Sequence, residues 1–198
     1  GTQIGRAIEH EAIVYGAVFY ADDTRVLTWG SDAAVKLWDA TTGVQIGPAM
    51  RHDARIDGAV FSVDETRVLT WSEDNTARLW DAVTGTQIAP SLQHERSVLG
   101  AIFSADETRI LTWSGDFLGV PDGAIRLWDT TTGYQIGPTM ENDNIVQRAV
   151  FDVDETHILT WSVDSAARRW NVFGAMKTLS PGDFARALCE ERLAGNIW

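Results

Sequence analysis

The sequence predicts an all-β protein built from four copies of one unit, each a four-stranded antiparallel sheet. Three observations predict it: "LTW" recurs four times in register, a second Trp follows each copy, and short β-branched runs alternate with turn residues. The first tryptophans, Trp29, Trp71, Trp113 and Trp161, are spaced by 42, 42 and 48 residues. The second set, Trp38, Trp80, Trp128 and Trp170, is spaced by 42, 48 and 42. A six-residue insertion in "GDFLGVPDG" accounts for both irregularities. Eight of the nine tryptophans are therefore scaffold positions, and only Trp198 lies outside the pattern.

Taken in order, the second unit reads "GAVFS", "TRVLTWS", "ARLWD" and "TQIAP", four runs with strand composition. They are separated by "VDET", "EDN" and "AVTG", whose Asp, Asn, Thr and Gly favour turns. No window of helical length shows a 3.6-residue period before residue 180. Leu69 and Trp71 point to one side of their strand and Val68 to the other, so both faces are apolar. A sheet buried on both faces needs a sheet on each side, which radial stacking in a β-propeller supplies. The units span 1–43, 44–85, 86–133 and 134–174. The texture then changes. Ser180 as N-cap, Pro181, Asp183 and a stop at Gly195 predict a short C-terminal helix around 181–194. Phe184, Leu188 and Cys189 form its apolar stripe, which makes Cys189 a small buried residue and not a nucleophile.

Composition narrows the partners. A formal charge of −12 argues against nucleic acid or an anionic membrane. One cysteine permits no intrachain disulfide, and no 18-residue apolar run appears, so the expected place is the cytoplasm. The chain begins at Gly1, midway through a repeat, as a fragment or trimmed chain would.

His52, Thr70, Asp74 and Trp80 fall within one unit, and a Thr, a His and an Asp invite a hydrolase reading. The set recurs as His10, Thr28, Asp32 and Trp38, and as His94, Thr112, Asp122 (or Asp116) and Trp128. Thr160, Asp164 and Trp170 continue it. An enzyme has little use for one triad per repeat, so no catalytic residue is assigned. Three of the four histidines sit at repeat spacing, with no HxxxH and no CxxC, so no metal is expected. "TTG" and "VTG" lack the rest of a phosphate loop, and no cofactor is expected either.

The repeat carrying these residues, with "LWD" closing its third strand, resembles the WD40 family over residues 2–174. The resemblance implies a propeller in which the outer strand d of one blade precedes strands a, b and c of the next. It also implies a structural hydrogen-bonded chain in each blade, His to Asp and Thr, and Thr to the Trp indole. The fourth unit departs from this pattern with Asn142 for His, Asn171 for the Asp of "WD", and Arg169 for Leu. Its network should be the weakest. The family implies a non-catalytic scaffold that binds proteins. An enzyme or small-ligand propeller using the central channel is the alternative, disfavoured because strand a offers mostly Gly, Ala, Val and Phe.

Comparing the repeats with one another points to a face. The a–b turns ("ADDTR", "VDETR", "ADETR", "VDETH") and the first three c–d turns ("DATTG", "DAVTG", "DTTTG") barely change. The d–a segments and b–c turns vary, and the insertion is a b–c turn. In a propeller these two connections share one face, and variation collected there marks binding. The candidate contacts are Phe117, Leu118 and Val120 in the insertion, with Tyr15, Asp57, Leu99 and Gln147 at equivalent positions just before the "GAVF" strand. Acidic neighbours such as Glu9, Asp53, Glu73, Glu95 and Glu141 suit a protein partner of basic or mixed charge. Finally, "TQIGRAI" at 2–8 is a d-type strand with no blade, while the fourth unit lacks one. Exchange of that strand between two chains predicts a homodimer closing as an eight-bladed ring.

Overall fold

The computed structural model describes residues 1–3, 6–116 and 123–172. Its first sheet holds β1 (Val14–Phe19), β2 (Arg25–Gly30), β3 (Ala34–Asp39) and β4 (Gln45–Arg51), in that order and antiparallel. The second holds β5 (Ile56–Phe61), β6 (Arg67–Ser72), β7 (Thr76–Asp81) and the short β8 (Leu92–Gln93). The third repeats this with β9 (Val98–Phe103), β10 (Arg109–Ser114), β11 (Gly123–Asp129) and β12 (Met140–Asn142). The fourth has three strands, β13 (Val146–Phe151), β14 (His157–Ser162) and β15 (Ala167–Asn171). No helix occurs among the described residues, and the expected C-terminal helix lies outside them.

Local chemistry fixes each turn. In the first turn of the second sheet, Asp64 accepts hydrogen bonds from the Thr66 N–H and hydroxyl and from the Ser62 hydroxyl. That leaves Glu65 at φ 56°. Asp81 closes the third turn by accepting from Val83 and Thr84, and Gly85 supplies φ 65°. The outer strands of the second and third sheets are shorter than the sequence runs suggest, whereas β4 keeps its full length. "TQIAP" becomes a lone bridge from Gln87 to Trp80, with β8 resuming beyond Pro90. Proline has no N–H for the ladder, and pairing lapses around Pro90, whereas β4 passes Pro48 with only a shift of register.

The apolar cores lie between successive sheets. Leu27, Leu37 and Met50 of the first sheet meet Ile56, Val68 and Trp80 of the second. Leu69, Leu79 and Leu92 meet Val98, Ile110 and Trp128. Leu111, Trp113 and Leu127 meet Val146, Ile158 and Trp170. Thus Val68 and Leu69, neighbours on one strand, are buried in different cores, and the middle sheets are apolar on both faces. Each core takes the first Trp of one sheet and the second Trp of the next: Trp29 with Trp80, Trp71 with Trp128, Trp113 with Trp170. Trp38 and Trp161 are left over, one in each end sheet. Close approach makes this packing specific. Gly58 lies under the Trp71 ring, where a Cβ would come within 2.0 Å of it.

Candidate functional site

The strands β1, β5, β9 and β13 adjoin one another along the inner edge of the stack. Each carries the same irregularity. Ladder pairing jumps from Val14 to Gly16, from Ile56 to Gly58, from Val98 to Gly100 opposite Ser114 and Trp113, and from Val146 to Arg148. Tyr15, Asp57, Leu99 and Gln147 are the extra residues of these four bulges. A bulge leaves its extra residue unpaired and re-aims its side chain, which is why such positions recur beside binding sites. The sequence shows that these residues vary, but their shared backbone geometry is visible only in the sheets.

Their surroundings differ. Tyr15 and Gln147 are exposed. Asp57 accepts a hydrogen bond from Arg55 Nε at 2.9 Å, while Arg55 also reaches Glu73 at 2.7 Å and lies over the Tyr15 ring at 5.3 Å. Burial pushes the Asp57 carboxyl up despite the adjacent guanidinium. Leu99 is half-buried and packs against the third core, so part of its surface already serves the fold. Beside the ends of the inserted connection, Glu95, Arg96, Ser114, Ala124, Arg126 and Glu141 line a cavity of about 260 Å³. Phe117, Leu118, Val120 and Asp122 lie outside the described residues.

The His/Thr/Asp/Trp set is assembled in full in the first two sheets. In the second, the Trp80 indole N–H donates to Thr70 Oγ1 at 2.9 Å, and Thr70 Oγ1 lies 2.7 Å from His52 Nε2. His52 Nδ1 lies 2.8 Å from Asp74. The chain has a consistent direction when the Thr hydroxyl donates to Nε2 and Nδ1–H donates to the carboxylate. Burial raises the pKa of Asp74, but hydrogen bonds from His52, Thr76 and the Asp53 N–H together hold its carboxyl well below the usual range. The first sheet matches: Trp38 to Thr28 at 2.7 Å, Thr28 to His10 at 2.7 Å, His10 to Asp32 at 2.9 Å. These atoms have the order of a hydrolytic triad, yet Thr70 is fully buried and its oxygen is capped by an indole. The Arg78 backbone carbonyl occupies a further place at that oxygen, at 3.3 Å. The arrangement therefore satisfies buried polar groups and ties three strands together.

The third sheet keeps two links, Trp128 to Thr112 and Thr112 to His94, both 2.7 Å. His94 Nδ1 is buried with no partner among the described residues. Burial, with the charge of Arg126 adding to it, pushes the His94 imidazole down to about 3. In the fourth sheet Trp170 still donates to Thr160 at 2.9 Å. Asn142 instead bonds the Asn144 carbonyl at 2.7 Å, and Asp164 turns to Arg168 at 2.7 Å.

Sequence reasoning passed over one cluster. Asp152, Asp154 and His157 bring three carboxylate and imidazole ligand atoms within 4.8 Å of one another. They sit in the fourth a–b turn, "DVDETH", where Asp152 and His157 replace the Ser and Arg of "SVDETR" and "SADETR". The near-identity of these turns masked the two substitutions.

No family model matches the chain, and no curated protein does. Solved structures do. The chain is similar to the computationally designed Ika4 protein, with TM-score 0.72 and 20% identity, covering 86% of this chain and 98% of that one. It is also similar to the computationally designed Ika8 protein, with TM-score 0.66 and 20% identity. That match covers 82% of this chain and 46% of the other, so the chain spans about half the length of the second. These likenesses and the four-stranded antiparallel sheets agree that the chain has a β-propeller-like, all-β fold.

Proposed function

We propose that this chain is half of a WD40-type propeller serving as a non-catalytic protein-binding scaffold. The observation that carries the reading is the bulge repeated in every sheet, which presents four different residues, Tyr15, Asp57, Leu99 and Gln147, from one backbone frame. A fixed frame with variable contacts suits recognition of an irregular partner surface. The opposite turns are held by their own hydrogen bonds, which explains their constancy without a binding role. The insertion at 115–123 extends the variable face. Cutting it to the length of "SEDNTA" should leave the melting temperature unchanged and weaken capture of a protein partner. A large loss of stability would sink the loop's role as a contact. A thermal-shift screen with small molecules tests the alternative, a channel that binds a ligand.

Two copies complete the ring by exchanging the N-terminal strand. Support comes from Arg6. A Cβ on Gly43 would lie 3.0 Å from the Arg6 carbonyl oxygen. One on Gly85 would lie 2.9 Å from that of Pro48, and one on Gly133 would lie 2.8 Å from the Pro90 ring. Arg6 thus occupies at the first sheet the place that the preceding sheet's outer strand occupies at the next two. Among the described residues no sheet precedes the first, and the fourth sheet has three strands. Deleting residues 1–8 should abolish the dimer, and a dimer of unchanged affinity would contradict exchange.

A further inference from the structure

We infer that Asp23 of one copy docks on the Val153 N–H and the His157 imidazole of a second copy, forming the seam where two chains meet. The inference rests on ring closure by two copies, and it adds the atoms that set their register.

The rule comes from the three junctions within the chain. In each, the carboxylate at the left-handed position of an a–b turn reaches back to the turn of the preceding sheet. Glu65, at φ 56°, accepts from the Ala21 N–H at 2.5 Å. Glu107 accepts from the Val63 N–H and from Arg67, the latter at 2.6 Å. Glu155 accepts from the Ala105 N–H and from Arg109, each at 2.5 Å. Acceptor and donors always come from successive sheets, so the chain has half a stitch at each end. Asp23, at φ 57° and exposed, is the equivalent carboxylate of the first sheet, which no described sheet precedes. Val153 and His157 hold the donor positions of the fourth sheet, which no described sheet follows, and Val153 is wholly exposed.

Charge and geometry fit the two halves together. His157 Nδ1 is already engaged by Asp152 at 2.9 Å, Thr156 at 2.8 Å and Arg169 at 3.1 Å. Nε2 is the ring nitrogen left for a carboxylate across the seam. Arg169 adds a positive group there, at a position where the other sheets carry Leu37, Leu79 and Leu127. Both halves are shorter than their internal counterparts, Asp for Glu and His for Arg. The seam is therefore chemically distinct from the three junctions inside each chain, so a chain's end is matched to another end.

Sedimentation equilibrium of the full chain tests this with Asp23→Asn and His157→Ala, and with Glu65→Gln as the internal control. Asn tolerates the left-handed conformation, so Asp23→Asn removes charge without backbone strain. Each substitution strikes both seams of a twofold dimer, so about a tenfold rise in the dimer Kd is expected for either variant. Asp23→Glu combined with His157→Arg recreates the internal pair and should restore association at least to the parent level. Glu65→Gln should lower the melting temperature and leave the Kd unchanged. A parent dimer whose Kd ignores both Asp23→Asn and His157→Ala overturns the seam while leaving strand exchange standing. A parent chain that is monomeric overturns strand exchange and the seam with it.

Discussion

Equivalent residues inside the stack and at its two ends meet opposite surroundings. Leu27, Leu69 and Leu111 are 0% exposed between sheets, whereas Leu159, the same residue of the fourth repeat, is 42% exposed. Ile56, Val98 and Val146 are 0% exposed, and their counterpart Val14 in the first sheet is 44% exposed. Phe19 is exposed at the same end, while Phe61, Phe103 and Phe151 pack on cores. Repeat arrays that end in water carry polar capping units. Here the end faces keep apolar residues at the positions that the inner faces bury. Among the substitutions at the ends, Asp23, Arg148 and Arg169 are charged and local.

The largest effect separates these two environments directly. Leu69→Ala should cost about 3 kcal/mol at any protein concentration, because the cavity is internal to one chain. Leu159→Ala removes the same atoms from an end face. Chemical denaturation should show a comparable loss that depends on protein concentration if the ends are covered by a second copy. A loss below about 0.5 kcal/mol would mean that Leu159 faces water.

A smaller effect tests the polar chains within the sheets. Thr70→Val leaves both His52 and the Trp80 indole without their shared partner, and should cost about 2 kcal/mol. Thr160→Val strands only the Trp170 indole, and should cost about half as much. Equal losses would break the link between network size and stability.

This gradation shows what the sequence made legible. Periodic Trp, Asp and Gly positions sufficed to read four units, four-stranded sheets and burial on both faces, because spacing alone determines which residues stack. The His, Thr, Asp and Trp positions were readable for the same reason. The outer strands of the second and third sheets were over-read, since the Pro that interrupts "TQIAP" acts through one missing N–H and not through composition. The bulges at Tyr15, Asp57, Leu99 and Gln147 were invisible, since one unpaired residue leaves no mark on the hydrophobic pattern. The cross-sheet stitches from Glu107 and Glu155 were hidden for a different reason. A conserved-looking turn reads as local chemistry until the neighbouring sheet is seen beside it.

Acid should act on the third sheet before the others. The folded state holds the His94 imidazole at about 3, below the ordinary value of about 6.5, so folding favours the neutral ring. Its contribution is complete above about pH 6.5 and is lost as pH falls from there toward 3, at up to about 1.4 kcal/mol per pH unit. The turn carboxylates Asp64 and Asp106, held at about 2 by their hydroxyl and N–H donors, weaken the fold only below about pH 4. Urea titrations between pH 6.5 and 4.5 should therefore show a slope that His94→Asn abolishes. An unchanged slope would remove His94 from the account.

The smallest expected effect is a gain. Ala33 holds φ 55° in the first b–c turn, a region that penalises a Cβ. Ala33→Gly should stabilise by up to about 1 kcal/mol, read as a higher denaturation midpoint.

The comparison between buried junctions and open ends rests on one quantity, the mass of the protein in solution. Size exclusion with light scattering, repeated over a range of loading concentrations, measures it without any substitution. Two copies closing one ring predict a mass near twice 21.8 kDa. A mass of 21.8 kDa at every concentration would contradict closure by a second copy.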